Sequence, residues 1–214
     1  MEIASRYLTF NKLGIITISE YLEKEYIEEN DLKSALKVIL NTISCYMGEV
    51  FGISESESWC LTIYIPKEGG GFLKCISGCR SRSIDDKSEF RDIPIGHGHI
   101  GMVYDRGIPL INVDMQAEQL QGMFQLPPAH RKSYDADRYR AFASFPVRFP
   151  GRDTVLGVVG ITSDVPGRFT SANTVLIGML EPHIGVLINK LKRPMLTVQS
   201  NQPASSGSSD GEQN

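Results

Sequence analysis

Residues 91–115 read RDIPIGHGHIGMVYDRGIPLINVDM, and within them Gly96, Gly98 and Gly101 stand in the spacing G-x-G-x-x-G with His97 and His99 in the gaps. Glycines so spaced let a backbone approach a phosphate, and neighbouring imidazoles can bind metals or titrate near neutral pH. The phosphate reading needs a full helix after the glycines and then a parallel strand. Here only MVYDRG separates Gly101 from the apolar run IPLINVD, whereas a crossover takes about a dozen residues. The glycines are therefore read structurally: Gly96 and Gly98 for a sharp turn, Gly101 for close packing of a short helix on a sheet. His97 and His99 are read as exposed loop histidines or as contacts to a ligand.

Thiol chemistry has four candidates, Cys45, Cys60, Cys75 and Cys79, with no C-x-x-C pair among them. On one regular strand the Cα atoms of Cys75 and Cys79 would stand ~13 Å apart, beyond disulfide reach. Reduced thiols fit a cytoplasmic protein. Cys60, Cys75 and Cys79 with a histidine could form a metal site; structural cysteines are the alternative. The charged run HRKSYDADRYR, residues 130–140, offers Arg131, Lys132, Arg138 and Arg140 either as anion holders or as a solvated loop face.

These groups need a frame. With 214 residues, 41% of them hydrophobic, the chain can bury one core. A net charge of −3 gives no general attraction for nucleic acid. The longest apolar run, Thr174–Ile188, is broken by Glu181, Pro182 and His183 and falls short of a membrane span. The N-terminus lacks a basic flank followed by an apolar run, so no secretory signal is read there.

Residues 14–29 are read as an amphipathic helix. A second follows from Leu32 to Val50, with Asp31 as its cap. Alternation of Trp59, Leu61, Ile63 and Ile65 against Cys60, Thr62 and Tyr64 predicts a strand, and the KEGGG turn makes 58–81 a β-hairpin. Short strands are predicted at 90–95 and up to Asp114. A patternless stretch broken by Pro127 and Pro128 runs from Met115 to Arg138. AFASFPVRF and TVLGVVGIT give two more strands joined by a PGRD turn. Thr170 is placed as the N-cap of a closing helix kinked at Pro182.

The order of these elements, with IPIGHGHIGMVYDRGIPLINVD and ASFPVRFPGRDTVLGVVGITSDVPGRFTSAN, resembles the GAF domain family. Phe145-Pro146-Val147, Leu156-Gly157-Val158 and Pro166-Gly167-Arg168-Phe169-Thr170 carry the likeness. Asn173 stands where the family customarily has an acid, leaving the capping box incomplete. The resemblance implies an α/β (α+β) fold, a mostly antiparallel central sheet of about six strands flanked by N- and C-terminal helices. It sets a helical extension at 1–30, the GAF-like domain at 31–192 and a disordered tail at 193–214.

The resemblance further implies a cytoplasmic, non-catalytic sensor or regulatory domain. Its pocket would lie between the sheet and a cover made by the glycine-turn helix and residues 115–138. The ligand-binding candidates are Tyr64 and Arg80 on the hairpin, His97 and His99, Asp114, Phe124 and Tyr139 on the cover, and Phe142 and Ser144 on the fifth strand. For Phe124, Tyr139 and Phe142 core packing is the competing reading. The small-molecule ligand stays unassigned. The cyclic-nucleotide signature and the Cys-His dipeptide of bilin-linking members are both absent from the sequence. Partners implied are a second copy, pairing through terminal helices in a homodimer, and a separate output protein; neither nucleic acid nor membrane is expected. The alternatives are an interaction module with a vestigial pocket and an enzyme like free methionine sulfoxide reductase. The segments matching that family's cysteine neighbourhoods, EFRDIPIGHGHIGMV and NVDMQAEQLQGMF, contain no cysteine.

Overall fold

The computed structural model describes residues 12, 15, 16, 18–84, 90–112 and 122–191. The tail at 193–214 and Asp114 lie outside the described residues.

Leu32, Ala35, Leu36, Ile39, Leu40 and Ile43 recur at helical spacing and form the buried stripe of α1, Glu29–Ser44. Its cap is Glu28, so Asp31, expected at that position, lies inside the first turn, where its charge suits the positive end of the helix dipole. The expected single helix to Val50 is interrupted at Cys45 and Tyr46, and α2 follows at Met47–Phe51. Upstream, the helix expected over 14–29 ends at Leu22. The chain then straightens so that Ile27 donates its N–H to Lys190 O at 2.9 Å and bridges Leu191. Ile18 and Ile27 join the core beneath α1.

Six strands make one antiparallel sheet: β1 (Trp59–Pro66), β2 (Phe72–Arg80), β3 (Ile93–Pro94), β4 (Leu110–Asn112), β5 (Ala141–Arg148) and β6 (Val155–Ser163). They are ordered β3-β2-β1-β6-β5-β4. The fold expected from the resemblance is the one observed. The predicted strand at 90–95 contracts to Ile93–Pro94.

One face of the sheet packs against α1 and the closing helix α4, Val175–Asn189. That helix runs on through Pro182. It starts later than Thr170, whose turn is nonetheless closed reciprocally. Asn173 donates its N–H to Thr170 Oγ1 at 3.3 Å, and Thr170 donates its own to Asn173 Oδ1 at 2.8 Å. The amide oxygen of Asn173 thus closes a turn ahead of the helix, whose own cap, Thr174, makes no side-chain capping bond.

A second ion-paired knot holds the same end of the fold. Arg168 donates from Nε and Nη2 to Glu57 Oε1 and Oε2 at 2.7 and 2.6 Å, and Ser163 Oγ donates to Oε1 at 2.5 Å. Glu57 is buried, so this fork offsets the cost of a carboxylate removed from water.

Candidate functional site

The other face of the sheet carries a smaller core built on Tyr64, Leu73, Ile93 and Val158. It is roofed by α3, Gly98–Arg106, and by the segment from Gly122 to Arg140. Between roof and sheet is a cavity of about 510 Å³, within the size range of small-molecule sites.

The glycine turn seats α3 against this space. Gly96 and Gly98 have φ of +79° and +59°, left-handed values that glycine reaches without strain. A Cβ on Gly101 would stand 2.2 Å from Pro94 O, so only glycine lets the helix lie this close to β3. The turn is a packing device, as its length required.

His99 leaves α3 toward the cavity. Its Nδ1 is 2.6 Å from Ser144 Oγ, and its ring stacks on Phe142 with centroids 4.4 Å apart. Phe142 in turn meets Phe124 edge-on at 5.0 Å. Burial, and secondarily the Arg91 guanidinium, lower His99 to about 3, so the ring is neutral at physiological pH. Nδ1 is engaged by Ser144, which leaves Nε2 as the free ring nitrogen.

Cys60, Thr62 and Tyr64 alternate along β1 to make the floor, joined by Thr162 from β6. Burial raises the Tyr64 hydroxyl well above the usual phenol range and pushes the Cys60 thiol up to about 11. Tyr139 is raised for the same reason.

Arg91 braces the roof. It donates from Nη1 to Asp135 Oδ2 at 2.9 Å and to His130 O at 3.1 Å. Burial opposes its charge, but the hydrogen bond and attraction of Asp135 prevail and raise its pKa. Asp135 Oδ1 and Thr162 Oγ1 are buried without a hydrogen-bond partner, and both residues line the cavity.

Of the sequence-predicted site residues, Tyr64, Arg80, His99, Phe124 and Tyr139 line the cavity. His97 does not. It is the exposed N-cap residue of α3, because the left-handed Gly98 turns the chain between the two histidines. Phe142 and Ser144 are fully buried behind His99 and support it without lining the space. Asp114 is outside the described residues. From the charged run, Arg131, Lys132 and Arg138 line the cavity, while Arg140 instead continues the sheet by donating its N–H to Ser163 O.

Sequence reasoning passed over Thr62, Arg91, Asp135 and Thr162, and weighed Cys60 only as a metal ligand. Cys60 and Thr62 were implied once Tyr64 was placed inward, since they share its face of the strand. Arg91 and Asp135 carried no local signal, being joined across 44 residues.

The cysteines do not converge. A bulge at Ile76 shifts the register from Ile63↔Ser77 to Tyr64↔Cys75, so Cys75 packs on the cavity side and Cys79 on the helix side. Among the described residues no cluster of metal-ligating side chains occurs. Burial pushes Cys75 and Cys79 up to about 12.

No family model matches the sequence, and no curated protein does. Solved structures do match. The GAF domain of an Acinetobacter phosphoenolpyruvate-protein phosphotransferase superposes with a TM-score of 0.56 at 16% identity, covering 83% of this chain and 91% of that one. A putative GAF sensor protein from Burkholderia vietnamiensis gives 0.56 at 17%, covering 88% and 94%. The type II free methionine-R-sulfoxide reductase of Thermoplasma acidophilum gives 0.54 at 13%, covering 76% and 96%. With its six-stranded antiparallel sheet, its helix layer and its seated glycine turn, this chain has the GAF fold.

Proposed function

We propose that the protein is a cytoplasmic, non-catalytic sensor or regulatory domain that binds a small ligand in the roofed cavity and signals to a separate partner. The observation that carries this reading is the cavity itself, about 510 Å³ lined by aromatic groups and by buried polar atoms that lack partners. Solved GAF domains and a GAF sensor protein share the fold.

A reductase also shares it, but reductive thiol chemistry starts from a thiolate. Cys60, the cysteine on the cavity wall, is raised by burial to about 11 and stays protonated at neutral pH. That supports the non-catalytic reading, which turnover of free methionine sulfoxide by the purified protein would sink. Among the described residues no helix is long and apolar enough to cross a membrane.

A homodimer belongs to the same proposal. Ile15, Ile16, Leu22 and Tyr26 are each at least half exposed near the N-terminal end, an apolar surface that a second copy would cover. Sedimentation would return a dimer at micromolar concentration; a strict monomer would remove that part.

The ligand reading is tested by a thermal-shift screen of nucleotides, amino acids and tetrapyrroles. A ligand at a hundredfold excess over its dissociation constant stabilises the fold by about 2.7 kcal/mol. No shift from any class, together with a co-purifying protein, would favour the interaction module instead.

A further inference from the structure

We infer that the cavity selects for negative charge: it takes a small molecule bearing a carboxylate or phosphate oxyanion on an aromatic or apolar body. This rests on the reading of the cavity as a ligand site and names the ligand's chemistry.

The argument begins with charge. Arg131, Lys132 and Arg138 line the cavity, and among the described residues none of their side chains forms an ion pair. The carboxylate lining the space, Asp135, is committed through Oδ2 to Arg91 and to the Lys132 backbone N–H, each at 2.9 Å. Arg91 offsets the charge of Asp135, so the three cations line the cavity without a paired acid. Arg131 is held by its Nε–H on Leu126 O, which leaves both Nη groups as donors. Arg138 lies 4.2 Å over the Tyr134 ring, which orients its guanidinium without neutralising it. Planar guanidinium forks match carboxylate and phosphate oxygens.

The interior sets the rest of the ligand. His99 is neutral and contributes no charge, so the positive charge comes from the roof. Tyr64, Phe124 and Tyr139 supply aromatic surface for an apolar body. Thr162 adds to the floor a hydroxyl that can donate to an oxyanion.

The test is ligand-observed NMR on the full chain with matched probes in two arms. Indole-3-acetate is compared with indole-3-acetamide, and adenosine monophosphate with adenosine. The anion of at least one pair is expected to bind at least about tenfold tighter than its neutral partner, or ~1.4 kcal/mol; the arm showing this distinguishes a carboxylate from a phosphate ligand. Combined Arg131→Gln, Lys132→Gln and Arg138→Gln substitution should erase the preference, and Arg131→Lys with Arg138→Lys should retain most of it. In the unmodified protein the preference should shrink as salt is raised, a readout independent of any variant's folding. Neutral and anionic partners binding equally would overturn the charge inference and leave the ligand site standing. Binding by no probe, with no shift in the broader screen, would overturn both.

Discussion

His99 and Ser144 form a closed polar pair between α3 and β5, with Nδ1 and Oγ 2.6 Å apart and Phe142 stacked on the imidazole. The pair fixes the ring in place, and burial with the nearby Arg91 guanidinium keeps it neutral. Because the folded pKa, about 3, is depressed below the ordinary 6.5, the unfolded chain binds the proton first. The stabilising contribution is therefore whole above pH 6.5 and is lost as pH falls from 6.5 toward 3, by roughly 1 kcal/mol per pH unit. Denaturant titrations should show this slope in the wild type and a flatter profile in His99→Gln. Equal slopes would mean that His99 is charged in the folded protein.

Breaking the fork between Arg168 and Glu57 strands a buried carboxylate. Arg168→Met is expected to cost about 3–5 kcal/mol, and adding Glu57→Leu should recover much of that loss. Urea unfolding of the single and double variants measures it; a single variant within 1 kcal/mol of wild type would contradict the burial.

Much of the fold was legible because periodicity reports burial. The hairpin, the β5–β6 pair and the stripe of α1 follow from alternation or helical spacing. Failures arose where a single residue changes the phase. The bulge at Ile76 sends Cys75 and Cys79 to opposite faces, although four residues apart on a regular strand they would share one. Phe142 and Phe145, equally bulky, gave no way to choose a face; Phe142 backs His99, and Phe145 packs on the helix-side core. The site was half legible for a similar reason. Tyr64 and His99 were visible, but the Arg91–Asp135 brace and the partnerless Thr162 exist only once distant segments meet.

Gly101→Ala should open the seat of α3, because its Cβ has 2.2 Å to Pro94 O. A loss of about 1–3 kcal/mol is expected from such overpacking. The matching change at Gly96, where a Cβ meets nothing within 4 Å, carries only the strain of its positive φ and should cost less. Thermal denaturation of the two variants ranks them; a milder Gly101→Ala would contradict the close approach.

Thiol reactivity should divide one against three. Cys45 is exposed at the end of α1, while burial raises Cys60 to about 11 and Cys75 and Cys79 to about 12. An aromatic disulfide reagent at pH 8 should modify Cys45 rapidly and the others only on unfolding. Rapid modification of Cys60 in the native protein would reopen the enzymatic reading.

The central claim is that the roofed cavity holds a ligand. Its most direct test is native mass spectrometry of the purified protein beside Thr162→Phe, which fills the cavity from its floor. The account predicts a non-covalent small molecule on the wild type, retained from expression or added from the thermal-shift hits, and its absence from a folded Thr162→Phe. Identical spectra for the two proteins, with the same molecule on both or on neither, would contradict it.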